Sequence, residues 1–422
     1  MQDSLLNQTK VYCCPSKVLI MGGYAILSEQ CVGLSVGLNE KFYAFITTQD
    51  VQNQQQSNQK IIIKFISKQI ESEWIYEIDL ISKQVSQSET QAKNPFLEAV
   101  TKVVIEEGVE DLSKLTKNIN VNIFHDNRFY SSASKKNEQK SNYFSIFDKD
   151  NLHKTGLGSS ACVLVATLGS LLQYFQDYAD EKLHYLSQKA NFIAQKKIGS
   201  GFDIATSVFG SQVYKRFPPD IFSSNNQQQY KWNTLNRFNI PKQLKIMMID
   251  LQIGSDTRLL AGEVKKYLDN NPEQAQIFYE QCNQKASKLQ EIFSGIQSIE
   301  NLKEKRESII ELNKQYRDVF KTIGIKAKVE TEPDILSDIL DQIIIEIPSV
   351  YYGVCPGAGG YDALCLLTDN SLTVEQLQAK VDSLKILNSS IKEMVVQEME
   401  ISQQGFHLLD EISTSQFLKN IF

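Results

Sequence analysis

Long apolar runs are missing from this chain. The longest nearly uninterrupted one, residues 161–172, falls well short of the roughly 20 residues a membrane-crossing helix needs, so no spanning segment is expected. An excess of positive charge is missing as well. Lys and Arg number 44 against 50 Asp and Glu, a formal charge of -6, which gives no general attraction to nucleic acid or anionic lipid. Any anion site must therefore be built locally. The seven cysteines show neither a paired framework nor zinc-ligand spacing, and adjacent Cys13 and Cys14 are poor partners for one another; all seven are expected to be reduced. Met1-Gln2-Asp3-Ser4 carries no basic stretch leading into an apolar one, so no secretory signal is expected and a cytoplasmic location is. No internal repeat is evident.

What is present reads as globular. Hydrophobic residues make up 42% and charged residues 22% of the chain, near the averages for folded proteins. Its 422 residues exceed the size of about 250–300 at which single cores stop growing, so two domains are expected. The short apolar run 18–21 ends in Gly22-Gly23 and reads as a buried strand closed by a tight turn. Segments 42–48, 61–66, 74–80 and 119–124 are β-branched or aromatic, which gives the first half an α+β character with a largely antiparallel sheet. The Gln/Asn-rich runs 52–59 and 225–229 have nothing to bury and read as loops. From Ser159 onward Leu164, Leu168, Leu171, Leu172 and Phe175 recur with helical spacing. A second helical segment, 181–195, leads into Gly199-Ser200-Gly201-Phe202-Asp203. The polar stretch between Pro219 and Pro241 places the domain boundary, giving domains 1–225 and 226–422. Beyond it come a strand at 246–249, helix-compatible stretches between 257 and 345, and strands at 350–352 and 363–367.

The strongest local signal is Lys154-Thr155-Gly156-Leu157-Gly158-Ser159-Ser160, directly before the long helix. Glycines let backbone approach a ligand, and the unpaired N–H groups and dipole of a helix N-terminus favour phosphate. A Ser159 or Ser160 hydroxyl would suit Mg²⁺, although the Gly-Lys-Ser/Thr ending of a Walker A loop is absent. The competing reading is a serine cap after a glycine turn. A second loop, Pro356-Gly357-Ala358-Gly359-Gly360-Tyr361-Asp362, has more glycine than a plain hairpin turn needs, which favours close backbone approach over a simple turn. Pro15-Ser16-Lys17 precedes the first strand, and Lys17 alone would be an ordinary solvated lysine.

In their order these elements resemble the GHMP kinases: an early Pro-x-Lys strand, a central Gly-Leu-Gly-Ser-Ser loop, a Ser-Gly-x-Asp segment and a late glycine loop, spanning about 12–367. Within that superfamily, residues 154–160, 196–203 and 356–362, and Asp126-Asn127 followed by Phe129-Tyr130-Ser131, look like the eukaryotic phosphomevalonate kinases. The resemblance implies a two-domain GHMP kinase fold, with an N-terminal ribosomal-protein-S5-like α/β domain, a C-terminal ferredoxin-like α+β domain and a cleft between them. It implies ATP and 5-phosphomevalonate as substrates, Mg²⁺ as cofactor, and a monomer or homodimer that neither spans membranes nor binds nucleic acid.

The same resemblance implies roles for particular residues. Residues 154–160 would hold the ATP phosphates, with Ser160 on the metal; Lys17 and Asp203 would face the transferring phosphoryl group. Tyr24, Ser200, Gly201, Ser255, Arg258, Ala358 and Gly359, with Lys17, would border the acceptor. Lys196 and Lys197 complete the pool of cations open to an anionic acceptor. His125 reads as a packed or hydrogen-bonded histidine rather than a catalyst. Two departures stand out: Ser16 replaces a usual Gly before Lys17, and the helix preceding Asp203 offers no carboxylate over 190–195, where mevalonate kinases place a metal-binding Glu. Alternatives are another GHMP member, such as mevalonate kinase or diphosphomevalonate decarboxylase, and a non-catalytic ligand sensor of the same fold. The presence of both Lys17 and Asp203 argues against the sensor.

Overall fold

The computed structural model describes residues 9–50, 60–87, 92–130, 135–137, 145–148, 150, 152, 154–218, 220–222, 236–251, 253, 255–386 and 393–421. The Gln/Asn-rich runs 52–59 and 225–229, together with Ser131, Pro219 and Gly254, lie outside them. The chain forms two compact units, each discontinuous in sequence: residues 1–16, 40–210 and 404–422 form the first, and 17–39 with 211–403 the second.

In the first unit the sheet is built from the strands expected at 42–48, 61–66, 74–80 and 119–124. The second part of strand Val32–Asp50 pairs antiparallel with Lys117–His125, which pairs parallel with Lys60–Ser67, which pairs antiparallel with Ser72–Asp79. The sheet is largely antiparallel, as expected, with a parallel ladder between Lys60–Ser67 and Lys117–His125. Strand Lys60–Ser67 alternates in burial along its length, the period-two pattern of a strand with one face on a core. Phe45, Phe124, Phe417 and Leu418 pack one side of the unit. Helices Pro95–Val103, Ser159–Phe175, Asp180–Gln195 and Phe202–Phe209 pack against one another. Leu164, Leu168, Leu171 and Leu172 are fully buried as their spacing predicts. Most other positions of that helix are buried too, because three helices and strand Lys117–His125 pack around it; helical spacing alone identified one face of a central helix.

In the second unit a four-stranded antiparallel sheet runs in the order Val350–Val354, Ala363–Asp369, Leu244–Asp250, Val395–Met399. Helices Asp334–Glu346 and Val374–Ile386 cover it, and Ile249, Leu340, Ile343, Leu366 and Leu377 fill the space between. Helices Thr257–Asn270, Pro272–Ser294 and Arg306–Ala327 pack as a second layer. Asp256 caps the first of these, accepting hydrogen bonds from the N–H groups of Arg258 and Leu259. All seven cysteines are free and buried, as expected. No helix among the described residues is long and apolar enough to cross a membrane.

Candidate functional site

The phosphate-type loop lies in the first unit. Gly158, at φ 87°, caps helix Ser159–Phe175 in the left-handed conformation, and no side chain accepts from the helix's first N–H groups. The Ala161 and Cys162 N–H groups donate to the Gly158 carbonyl at 3.0 and 3.1 Å, so this 17-residue helix starts on backbone bonds alone, without a side-chain cap, at the place where its dipole favours an anion. Gly156 is also left-handed, at φ 78°, and a Cβ there would meet nothing within 4 Å. Buried Leu157 anchors the loop between these two glycines. The loop's leading arm is tied down: Tyr130 pairs with Lys154 in an antiparallel bridge, the Thr155 N–H donates to the Phe129 carbonyl at 3.3 Å, and its hydroxyl donates to the Arg128 carbonyl at 2.6 Å. Lys154 Nζ donates to Ser160 Oγ at 3.2 Å. An ammonium, a hydroxyl and an open helix end thus share one site.

Beside that loop is a cavity of about 460 Å³ whose lining includes Lys154, Ser159 and Ser160 together with Trp74, Phe96 and Tyr130. Its aromatic lining is suited to a flat heteroaromatic base next to a phosphate cradle. Sequence reasoning missed it, because Trp74 read only as part of a strand and nothing local marked Phe96. His125 is buried and its Nδ1 lies 3.1 Å from the Asp126 carbonyl; burial lowers its pKa to about 4. It is a packed neutral histidine, as read from the sequence. A larger cavity of about 1170 Å³ in the second unit, flanked by Arg237, Leu244, Gln290 and Met399, contains none of the motif residues.

Asp203 occupies the first turn of helix Phe202–Phe209 behind a left-handed Gly201 at φ 81°. Gln188 Nε2 donates to the Gly201 carbonyl at 2.7 Å, which fixes the start of that turn. Ser200 is half-buried. One turn beyond Asp203, Ser207 Oγ donates to the Pro15 carbonyl at 3.1 Å, and Cys162 Sγ lies 3.4 Å from the same oxygen. The helix bearing Asp203 and the helix bearing the phosphate loop therefore grip one carbonyl of strand Val11–Met21, two residues before Lys17. Lys196, left-handed at φ 54°, and Lys197 are exposed.

The second unit brings Lys17, Tyr24, Ser255, Ala358 and Gly359 together. Tyr24 Oη donates to the Ala358 carbonyl, the Gly357 N–H donates to the Leu19 carbonyl at 3.1 Å, and Ser255 Oγ accepts the Tyr361 N–H at 2.6 Å. Asp362 Oδ1 accepts the Ser255 N–H at 2.5 Å. Burial raises the Asp362 carboxyl above its ordinary pKa, with the Ser255 N–H and the charge of Lys17 acting the other way. Asp362 thus sits in the field of Lys17, a relation that the sequence motif contained but did not reveal. Arg258 is exposed on the first turn of its helix, and only its backbone N–H has a described hydrogen bond, to Asp256.

Residues 128–211 match the family model for the GHMP kinases N terminal domain. The phosphomevalonate kinase of Candida albicans is 30% identical over 396 residues, covering 85% of this chain and 89% of that protein. The chain belongs to the phosphomevalonate kinase family. A peroxisomal phosphomevalonate kinase of Arabidopsis thaliana is 25% identical over 454 residues, covering 84% of this chain and 88% of that relative. Among solved structures, Streptococcus pneumoniae phosphomevalonate kinase in complex with phosphomevalonate and AMPPNP has a TM-score of 0.61 at 15% identity, over 95% of this chain and 99% of that one. The fold is therefore the two-domain GHMP kinase fold expected from the sequence.

Members of the phosphomevalonate kinase family are ATP-dependent kinases, and ATP use implies a divalent cation. Among the described residues no cluster of three or more His, Cys, Asp or Glu is arranged to hold a metal by itself. Mg²⁺ keeps several waters and is bound through one or two protein groups plus substrate phosphates. The Ser160 hydroxyl, at the open helix end, is the group whose chemistry and position suit it.

Proposed function

We propose that the chain transfers the γ-phosphoryl group of ATP to (R)-5-phosphomevalonate, giving 5-diphosphomevalonate and ADP in the mevalonate route to isoprenoids and sterols. The observation that carries this is the uncapped helix end at Gly158, with Lys154 and Ser160 beside it and an aromatic-lined cavity adjoining, on a chain of this family.

In this reading residues 154–160 cradle the nucleotide's phosphates. Their N–H groups are preorganised, so charge moving onto the leaving phosphate meets donors that need no rearrangement. Ser160 holds Mg²⁺, which when bound neutralises phosphate charge. Lys17 stabilises the phosphoryl group in transit, and Asp362 keeps that ammonium oriented. Tyr24, Ser200, Gly201, Ser255, Ala358 and Gly359 border the acceptor, and Arg258, Lys196 and Lys197 supply outer cations. The acceptor oxygen belongs to a phosphate monoester whose second pKa is about 6, so it is already largely ionised at neutral pH. Asp203 is then needed for orientation rather than proton removal. The protein acts in the cytoplasm as a monomer or homodimer.

Steady-state ADP release with ATP, Mg²⁺ and 5-phosphomevalonate, run beside mevalonate, tests the assignment. Turnover with 5-phosphomevalonate alone is the expected result; turnover with mevalonate alone would move the chain to another branch of the superfamily.

A further inference from the structure

The glycine loop 356–362 has no regular structure of its own over most of its length, so its shape must be imposed by what it touches. The closest neighbour is the carbonyl of Thr331. It accepts the Gly360 N–H at 2.9 Å, and a Cβ on Gly359 would lie 1.9 Å from it. The Thr331 hydroxyl donates to the Phe320 carbonyl at 2.8 Å, and Gly324 makes room for it, since a Cβ there would come within 2.3 Å of that hydroxyl. Backbone packed this tightly transmits small displacements, because neither partner has a flexible side chain to absorb them.

The next residue explains what holds Thr331 in place. Glu332 is buried against Arg317, their side chains being 2% and 7% exposed. Glu332 Oε1 accepts from Arg317 Nε at 2.7 Å and from Ser337 Oγ at 2.9 Å. The same guanidinium donates to Asp341 Oδ1 at 2.5 Å and to the Ser337 carbonyl at 3.1 Å. Burying such a pair takes both charges from water, and an apolar pair of similar volume often gives equal or greater stability. Its presence here is therefore better explained by the position it specifies than by stability.

We propose that Arg317 and Glu332 are positioning residues for the acceptor side of the reaction: their buried ion pair sets the Thr331 carbonyl, which sets the Gly359-Gly360 backbone. This rests on the function proposed above. Neither residue lies in any of the recognisable motifs, and their described hydrogen bonds go to one another, Ser337 and Asp341 rather than to the loop.

The test uses Glu332→Gln, which keeps the shape and a hydrogen bond to Arg317, and the double variant Arg317→Met with Glu332→Leu, which replaces the pair with apolar volume. Two readouts are taken on the full chain. In kinetics, both variants should raise KM for 5-phosphomevalonate about fivefold or more while KM for ATP stays within about twofold, a split that general loss of fold would not give. In hydrogen exchange without substrate, the peptide spanning 357–361 should exchange faster in both variants while the peptide spanning 154–160 is unchanged. Variants that keep their thermal midpoint and show wild-type acceptor KM and wild-type exchange at 357–361 would overturn the proposal. If the wild-type chain does not turn over 5-phosphomevalonate, the functional reading fails, and hydrogen exchange alone decides whether the pair sets the loop.

Discussion

The two glycine loops carry the same sequence signal for opposite physical reasons. At Gly156 the space where a side chain would stand is empty for 4 Å; at Gly359 and Gly360 it is filled, by the Thr331 carbonyl 1.9 Å away and the Ser255 hydroxyl 2.3 Å away. All three have left-handed φ. In the first unit, glycine leaves room just before a helix start that has no side-chain cap. In the second it lets backbone lie directly on backbone, with Tyr24, Ser255 and Thr331 occupying its hydrogen-bonding groups. One loop leaves space at Gly156; the other is a fitted wall at Gly359 and Gly360, while at Gly357, as at Gly156, a Cβ would meet nothing within 4 Å.

The largest effect that would break this division comes from the charged residues rather than the glycines. Lys17→Met should lower kcat by about 100-fold or more, the scale seen when one preorganised charge-stabilising group is removed, with KM for ATP little changed. Asp203→Asn should also depress kcat strongly, without creating a new dependence on pH; recovery of rate at high pH would mean that Asp203 removes a proton after all. Retention of near-wild-type kcat by Lys17→Met would overturn its placement opposite the transferring group.

Glycine-to-alanine substitutions sharpen the comparison directly. A left-handed φ costs an L-residue about 1–2 kcal/mol, and that is the whole expected penalty at Gly156. Gly359→Ala carries the same cost plus an overlap with a backbone oxygen, so it should destabilise by roughly 3 kcal/mol or more. Thermal denaturation should show the larger shift for Gly359→Ala, and kinetics the larger rise in KM for ATP for Gly156→Ala. Equal shifts in midpoint would mean that the fitted wall is an illusion of close approach. A smaller effect is expected at Ser160: Ser160→Ala should raise the Mg²⁺ concentration giving half-maximal rate by about five- to tenfold, as expected for loss of one ligand from a largely hydrated ion.

How much of this was legible beforehand depends on whether a feature is local in the chain. The helix beginning at Ser159 was readable because its leucines, spacing and glycine turn all lie within about 20 residues. The strands at 42–48 and 61–66 were readable for the same reason. The discontinuity of the two units was not, since a linear reading places one boundary and cannot see strand Val11–Met21 belonging to both. Nor was the cavity beside the phosphate loop: an aromatic such as Trp74 looks the same in sequence whether it packs on protein or on a base. Asp362 was quoted as part of a motif but not as a site residue, because the Lys17 charge that acts on it comes from 345 positions away. The Arg317–Glu332 pair is 15 residues apart, with Arg317 in helix Arg306–Ala327 and Glu332 beyond its end, and nothing local in the sequence joins them.

The smallest predicted effect is one of stability and lies wholly in the first unit. His125 and Asp126 are adjacent and buried, and burial moves them in opposite senses: the histidine falls from 6.5 to about 4, and the carboxyl rises from 3.8 to about 7. Glu40 adds to the rise, while the Lys41 N–H and the Tyr43 hydroxyl oppose it. Between about pH 4 and 6.5 the unfolded chain binds a proton at His125 that the folded chain does not, so this group makes stability climb with pH. Over the same window the folded chain holds a proton on Asp126 that the unfolded chain has lost, so that group makes stability fall with pH. The two slopes largely cancel; His184, lowered by burial to about 3, adds a further climb with pH. Asp126→Asn keeps an acceptor for the Lys41 N–H, which donates at 2.7 Å in the native chain, but removes the opposing titration. Its unfolding free energy should therefore rise more steeply between pH 4.5 and 6, by about 2 kcal/mol across that interval relative to wild type. Urea denaturation at several pH values reads this slope, and parallel curves for the two proteins would mean that Asp126 is already ionised in the fold.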